Sequence, residues 1–340
     1  PRPRPRPHPQ PTYDSPRRCA DACLLCPPQN GNERTGMSAD ADAWIGGTVG
    51  VVAVLLGIVL GVVFGLQATQ DRNAKVAAWR AARAKSDHRL SICVCFLTRA
   101  PTPMLLKVAG DVASRAPVGV RVTIMSDSPP SATAKRDCPR GVTLWHLGAA
   151  EPTAAGFCNS STLVMPKLPC IAWDKALYMC AVRDTRDDFV WFVEDDVLFP
   201  SPNHLLELLA DAESAGAEYV CPHDQVNTSG DTRFWHWHEL AKQIDPPWGG
   251  SLVVVVGMSR RLLQAIKDFA AARGRLMFIE TLFSTLAMHL DLKTLHPPQI
   301  RHLTYNGEHD RRHPGEIMHP VKNPRVYQRL YSPSVDLLAL

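Results

Sequence analysis

Asp187-Asp-Phe-Val-Trp-Phe-Val-Glu-Asp-Asp-Val-Leu-Phe-Pro-Ser-Pro202 decides the fold. Phe189 to Val193 is an unbroken run of aromatic and β-branched residues, the pattern of a strand buried within a sheet. It stops abruptly at Glu194, Asp195 and Asp196. Three adjacent carboxylates repel one another, and desolvating them at the edge of a core is costly unless a cation or hydrogen-bond donors compensate. Oxygen ligands of this kind suit Mg²⁺ or Mn²⁺, and a small ligand set leaves coordination positions open for phosphate oxygens and water. The competing reading is an acidic turn in solvent.

Outward from this strand, short β-type runs at 91–97, 118–126, 142–147, 218–221 and 251–257 alternate with helical patterns at 173–182, 204–212 and 260–272. That alternation predicts an α/β domain, a mostly parallel sheet flanked by helices. Ligands in such sheets gather at the C-terminal ends of the strands, where the three carboxylates stand. No internal repeat is visible.

Ahead of the domain, residues 43–66 carry no charge and are long enough to cross a bilayer as one helix. They predict one transmembrane signal anchor, with 67–89 as a solvated helical stem and the folded domain at 90–340. Gly57, Gly61 and Gly65 recur every fourth residue, a face that suits either a helix-helix homodimer or ordinary membrane glycine. Residues 1–42 form a tail opening on an Arg-Pro repeat, and Met37 is an alternative start, in which case 1–36 are not translated. Basic residues after the span favour a cytosolic domain by charge alone. The sequons Asn159-Ser-Ser and Asn227-Thr-Ser favour a lumenal one, in the Golgi or endoplasmic reticulum, and the lumenal reading is preferred.

A net charge of +4 with no basic stripe argues against nucleic-acid binding. Of ten cysteines, Cys19, Cys23 and Cys26 precede the apolar segment, and the fourth ligand of a zinc site is missing at any familiar spacing. Seven follow it, an odd number, so at least one stays free.

On these residues the chain resembles the GT-A class of nucleotide-sugar glycosyltransferases, whose Asp-x-Asp-type motif ends a core strand and binds a metal-nucleotide-sugar complex. The resemblance runs over about 90–329 and implies a Rossmann-related catalytic domain behind a type II membrane anchor. It implies that Thr98 and Arg99, after the first strand, and Asp127, after the second, contact the nucleotide, and that Lys175 in Trp173-Asp-Lys-Ala-Leu meets a phosphate. Trp248-Gly-Gly-Ser resembles the class's glycine loop, in which Gly249 and Gly250 let sugar or acceptor approach the backbone. Glu280, in Phe278-Ile-Glu-Thr-Leu-Phe, stands where inverting members carry the acceptor's general base. His319, in Met-His-Pro-Val-Lys, corresponds to a late histidine on metal or diphosphate, with Lys322 neutralising phosphate and His309 and His313 as competitors. Glu194-Asp-Asp departs from a strict Asp-x-Asp, a variant that favours a UDP-sugar.

The expectation is therefore metal-dependent sugar transfer from a nucleotide-diphosphate sugar to a glycan, glycoprotein or lipid, with inversion. Asp196 and His319 hold the metal, Glu194 and Asp195 position ribose or sugar hydroxyls, and Trp235 and Trp237 offer a wall for a sugar ring. Two rivals remain: a metal-dependent phosphoesterase, and a catalytically silent glycan-binding protein on the same fold.

Overall fold

The computed structural model describes residues 42–86, 89–161, 169–233, 237–303 and 316–331. The tail with Cys19, Cys23, Cys26 and Met37, and also Trp235, His236, His309 and His313, lie outside them. Residues Pro1–Ile58 and Val59–Leu340 form separate units. In chain order the strands are β1 (Ile92–Thr98), β2 (Val120–Ser126), β3 (Val142–His146), β4 (Phe189–Glu194), β5 (Tyr219–Val220), β6 (Gln225–Asn227), β7 (Trp248–Gly250), β8 (Val255–Ser259) and β9 (Thr294–Leu295). The helices are α1 (Asp42–Lys85), α2 (Pro103–Arg115), α3 (Ala132–Arg136), α4 (Ala150–Ala154), α5 (Ala172–Tyr178), α6 (Pro202–Ala215), α7 (Trp237–Leu240), α8 (Arg260–Arg273), α9 (Ile279–His289) and α10 (Pro324–Leu330).

Seven strands make one sheet in the order β3-β2-β1-β4-β8-β5-β9, and β6 pairs with β7 apart from it. The β3, β2, β1 and β4 neighbours are parallel, as are β5 and β9, while β8 runs antiparallel between β4 and β5. The mostly parallel α/β sheet read from sequence is the one observed. The run expected as a strand at 251–257 joins the sheet only from Val255, and Trp248–Gly250, expected as a glycine loop ahead of it, is a short strand paired with β6.

Strand β4 occupies the centre because its apolar side chains fill both faces. Trp191 and Val193 join the core beneath α2 and α6, whereas Val190 and Phe192 join the one beneath α5, α8 and α9. Helix α6 starts where Ser201 and His204 close its first turn and Pro202 sets the entry, and ends at Gly216 in the left-handed region.

The expected solvated stem is a correction. Helix α1 continues to Lys85 and lays one side on α6: Arg72 bonds Glu207 at 3.0 Å, Lys75 reaches Asp211, and Trp79 Nε1 donates to Glu213 at 2.6 Å. Val76 and Arg83 are buried there. Arg83 also donates to the carbonyls of Leu90 and Val118, tying the helix end to the starts of β1 and β2. Ion pairs thus flank a small apolar contact made by Val76 and Trp79.

Among the described residues, no helix is long and apolar enough to cross a membrane. The side chains of residues 42–52, 55, 58 and 61, much of the expected span, lie outside them. Val54, Leu56, Val59, Leu60, Val62, Val63, Phe64 and Leu66 are exposed, with open space around Gly57 and Gly65. All seven cysteines after this segment are free, and six of them are buried.

Candidate active site

Four chain segments converge where β4 ends. Glu194 N bonds the Val254 carbonyl and Asp195 N the Leu97 carbonyl, so the turn after β4 hangs from both neighbouring strands. The segment at 316–331 is strapped onto this turn: Leu198 and Met318 exchange both backbone hydrogen bonds, and Val321 N donates to Asp196 O at 2.7 Å. Tyr327 OH holds the Val197 carbonyl at 3.0 Å. Met318 and Val321 turn into the core, and His319 between them is buried facing the carboxylates.

His319 Nε2 lies 3.4 Å from Asp196 Oδ1 and 3.8 Å from Glu194 Oε2. One ligand atom from each of Glu194, Asp196 and His319 falls within 4.8 Å of the others, a small inward shift from the separations of at most about 4.2 Å between groups about 2.1 Å from one ion. Asp196 Oδ1 is buried and accepts no hydrogen bond among the described residues. A buried carboxylate oxygen without a donor is expensive, and a shared cation relieves it. Two carboxylates and an imidazole are a donor set that Mn²⁺ accepts.

The three acidic residues divide their tasks differently from expectation. Asp195 turns away from the cluster to the Thr98 hydroxyl at the end of β1. Glu194, expected on ribose or sugar, joins Asp196 and His319. It is oriented by Trp173 Nε1, which donates to Oε1 at 2.8 Å. Burial pushes the Glu194 and Asp195 carboxyls up, against the lowering effect of Trp173 on the first and Thr98 on the second. Glu280, buried in the first turn of α9, is pushed up to about 8, by burial first and by the charge of Glu194 second.

The expected nucleotide residues cluster at the neighbouring strand ends. Asp127 N bonds the Thr98 carbonyl, and Lys175 Nζ reaches Asp127 Oδ1 at 2.5 Å and its carbonyl at 2.9 Å. Lys175 is thus a buried strut between α5 and the end of β2, not a cation waiting for phosphate. Arg99 and Lys322 are exposed.

Gly249 also differs from expectation. A Cβ there would come within 2.7 Å of Ser284 Cβ and 2.9 Å of Met288 Sδ, so its missing side chain admits α9. Gly249 N and O both bond Thr285 Oγ1. Gly250 is buried beside it, and Ser251 N bonds the Glu280 carbonyl at 2.9 Å, which ties this strand to the helix turn bearing Glu280. Trp237 is no open wall: it is buried and stacks on Trp248 with centroids 6.2 Å apart. Trp173 was missed as a site residue because a tryptophan ahead of a helical pattern reads as core.

No protein-family model matches the chain, and no curated protein does. Among solved structures, it is similar to the mannosyltransferase PcManGT of Pyrobaculum calidifontis in complex with GDP-Man and Mn²⁺. The match has 13% identity and a TM-score of 0.34, and covers 70% of this chain and 66% of that one, just under two thirds of its length.

Proposed function

We propose that this chain is a metal-dependent glycosyltransferase that moves a sugar from a nucleotide-diphosphate sugar, a UDP-sugar for preference, to a glycan, glycoprotein or lipid hydroxyl. The observation that carries the reading is the convergence of Glu194, Asp196 and His319 on one point beside the buried Glu280. Mn²⁺ or Mg²⁺ held there would supply positive charge against the diphosphate of the leaving nucleotide. Asp195, fixed by Thr98, lies at the rim, where it can accept from ribose or sugar hydroxyls.

In this reaction the acceptor oxygen bonds the anomeric carbon as the bond from that carbon to the diphosphate oxygen breaks. The acceptor proton passes to the Glu280 carboxylate, and the product is inverted. Trp173 keeps Glu194 turned to the cluster throughout. The uncharged 43–66 stretch and the exposed apolar side chains between Val54 and Leu66 support a membrane anchor, and the sequons at Asn159 and Asn227 support a domain on the lumenal side.

The test is nucleotide release by the purified chain across a panel of nucleotide-sugars with Mn²⁺, beside Asp196→Asn. Metal-dependent release that the substitution abolishes supports the reading and names the donor. Equal release with chelator present, or by the variant, overturns it.

A further inference from the structure

A second cluster of ligating groups stands at the far side of the sheet, and the transfer chemistry does not use it. Strands β5 and β9 are parallel, with Val220 opposite Leu295, and both end together so that Cys221 and His296 leave the sheet side by side. Asp224 follows three residues after Cys221. Cys221 Sγ lies 3.3 Å from Asp224 Oδ1, and His296 Nε2 lies 3.4 Å from Asp224 Oδ2. One ligand atom from each of the three falls within 4.8 Å of the others.

The surrounding contacts aim these groups. His296 Nδ1 is 3.2 Å from the Cys221 carbonyl, so the ring N–H is placed there and the Nε2 lone pair faces Asp224. Ser284 Oγ donates to Asp224 Oδ1 at 2.9 Å, and Tyr219 OH lies 3.2 Å from Ser284 Oγ. Ligating histidines and carboxylates are held in this way by an outer ring of hydrogen bonds. His223 Nδ1, two residues beyond Cys221, is buried without a hydrogen-bond partner among the described residues.

Zinc sits about 2.3 Å from sulfur and about 2.0–2.1 Å from nitrogen or oxygen, which puts tetrahedral ligands about 3.5 Å apart. Sγ to Oδ1 and Nε2 to Oδ2 each lie near that edge, one to each oxygen of the Asp224 carboxylate, and Sγ is 3.5 Å from Nδ1 of the same ring. A Cys-His-Asp nucleophile would look similar, but Cys221 has 0% exposure and no route to a substrate. We propose that Cys221, Asp224 and His296 form a zinc site separate from the carboxylate cluster at β4. Sulfur and imidazole select Zn²⁺ over the Mn²⁺ or Mg²⁺ suited to Glu194 and Asp196. Through Ser284 the ion steadies α9, one turn beyond Glu280.

The test is Co²⁺ titration of the full metal-stripped chain, read as a thiolate-to-cobalt charge-transfer band, with zinc content of the untreated protein alongside. The expected result is one zinc per chain and a band that saturates at one Co²⁺. Cys221→Ser should abolish the band, and His296→Gln, at a half-buried position, should weaken Co²⁺ binding at least about 100-fold. Asp196→Asn should keep the band. A band that survives Cys221→Ser and His296→Gln, or its absence from a folded wild-type chain with no bound zinc, overturns the proposal and leaves His296 and Asp224 as an ion pair. Should Cys221→Ser fail to fold, His296→Gln decides.

Discussion

His319 Nε2 stands 3.4 Å from Asp196 Oδ1, and the backbone beside each residue is bonded to the other's segment through Val321 N and Asp196 O. The acidic strand end is therefore completed by the C-terminal strap, and neither segment holds a metal alone. Removing the imidazole while keeping the strap separates these roles. His319→Gln should weaken Mn²⁺ binding on the order of 10- to 100-fold with little change in Tm. Mn²⁺ titration followed by electron paramagnetic resonance measures it, and unchanged affinity would assign His319 to packing alone.

Trp173 would act on a metal at the proposed site only through Glu194. Trp173→Phe keeps the ring against Phe192 and Phe283 but deletes the 2.8 Å bond to Oε1. Stability should fall by about 1 kcal/mol. Mn²⁺ affinity should fall about 10-fold, since Glu194 is then free to turn. A stability loss without an affinity loss would leave Trp173 a core residue.

Glu280 gives the pH dependence of the proposed transfer. Its carboxyl titrates at about 8, so a base at this position is mostly protonated at neutral pH and gains activity as pH rises. The log of kcat/KM should climb with pH up to about 8 and then level. Glu280→Gln should lose about 10²- to 10⁴-fold and the climbing limb with it. A limb that persists in the variant belongs to another group.

Much of this site was legible because its decisive signals are local. Phe189 to Val193 could only be a buried strand, and Glu194 to Asp196 could only end it. What escaped reading depends on partners distant in sequence. The part of α1 from 67 to 85 has no continuous apolar face, yet Arg72, Lys75 and Arg83 meet Glu207, Asp211 and Glu213 of α6, a match invisible from either helix alone. Gly249 reads as a loop glycine until Ser284 of α9 fills the space its side chain would take. Strand β9 is two residues long, so nothing in the sequence announced that His296 stands beside Cys221. The position of β8 between β4 and β5 is likewise a matter of long-range pairing.

The α1–α6 contact can be tested through Arg83, whose side chain is 3% exposed and whose Nη1 lies 2.6 Å from Glu213 Oε1. Glu213→Ala leaves that charge buried with only carbonyl acceptors and should cost about 3–5 kcal/mol. Replacing both residues, as Arg83→Met with Glu213→Ala, should recover much of the loss. Thermal unfolding of the single and double variants measures the coupling, and additive losses would show that the pair does not matter.

Asp174 provides a pH dependence of stability separable from catalysis. It is fully buried, accepts from Ser160 N at 3.1 Å and Ile171 N at 2.8 Å, and burial outweighs those bonds to raise its carboxyl from 3.8 to about 6. The folded state therefore binds this proton more tightly than the unfolded chain does. Its stabilising effect is complete below about pH 4 and is lost as pH rises through about 6, a change of about 3 kcal/mol. Asp174→Asn cannot ionise, so it should lack this slope. At about pH 4 the variant should be the less stable protein, because its amide NH₂ faces one of the two backbone donors. The gap should narrow steadily as pH rises to neutrality, where the wild type carries a buried charge and the variant does not. Tm measured from acid to neutral pH for both proteins decides it, and parallel curves would place the proton elsewhere.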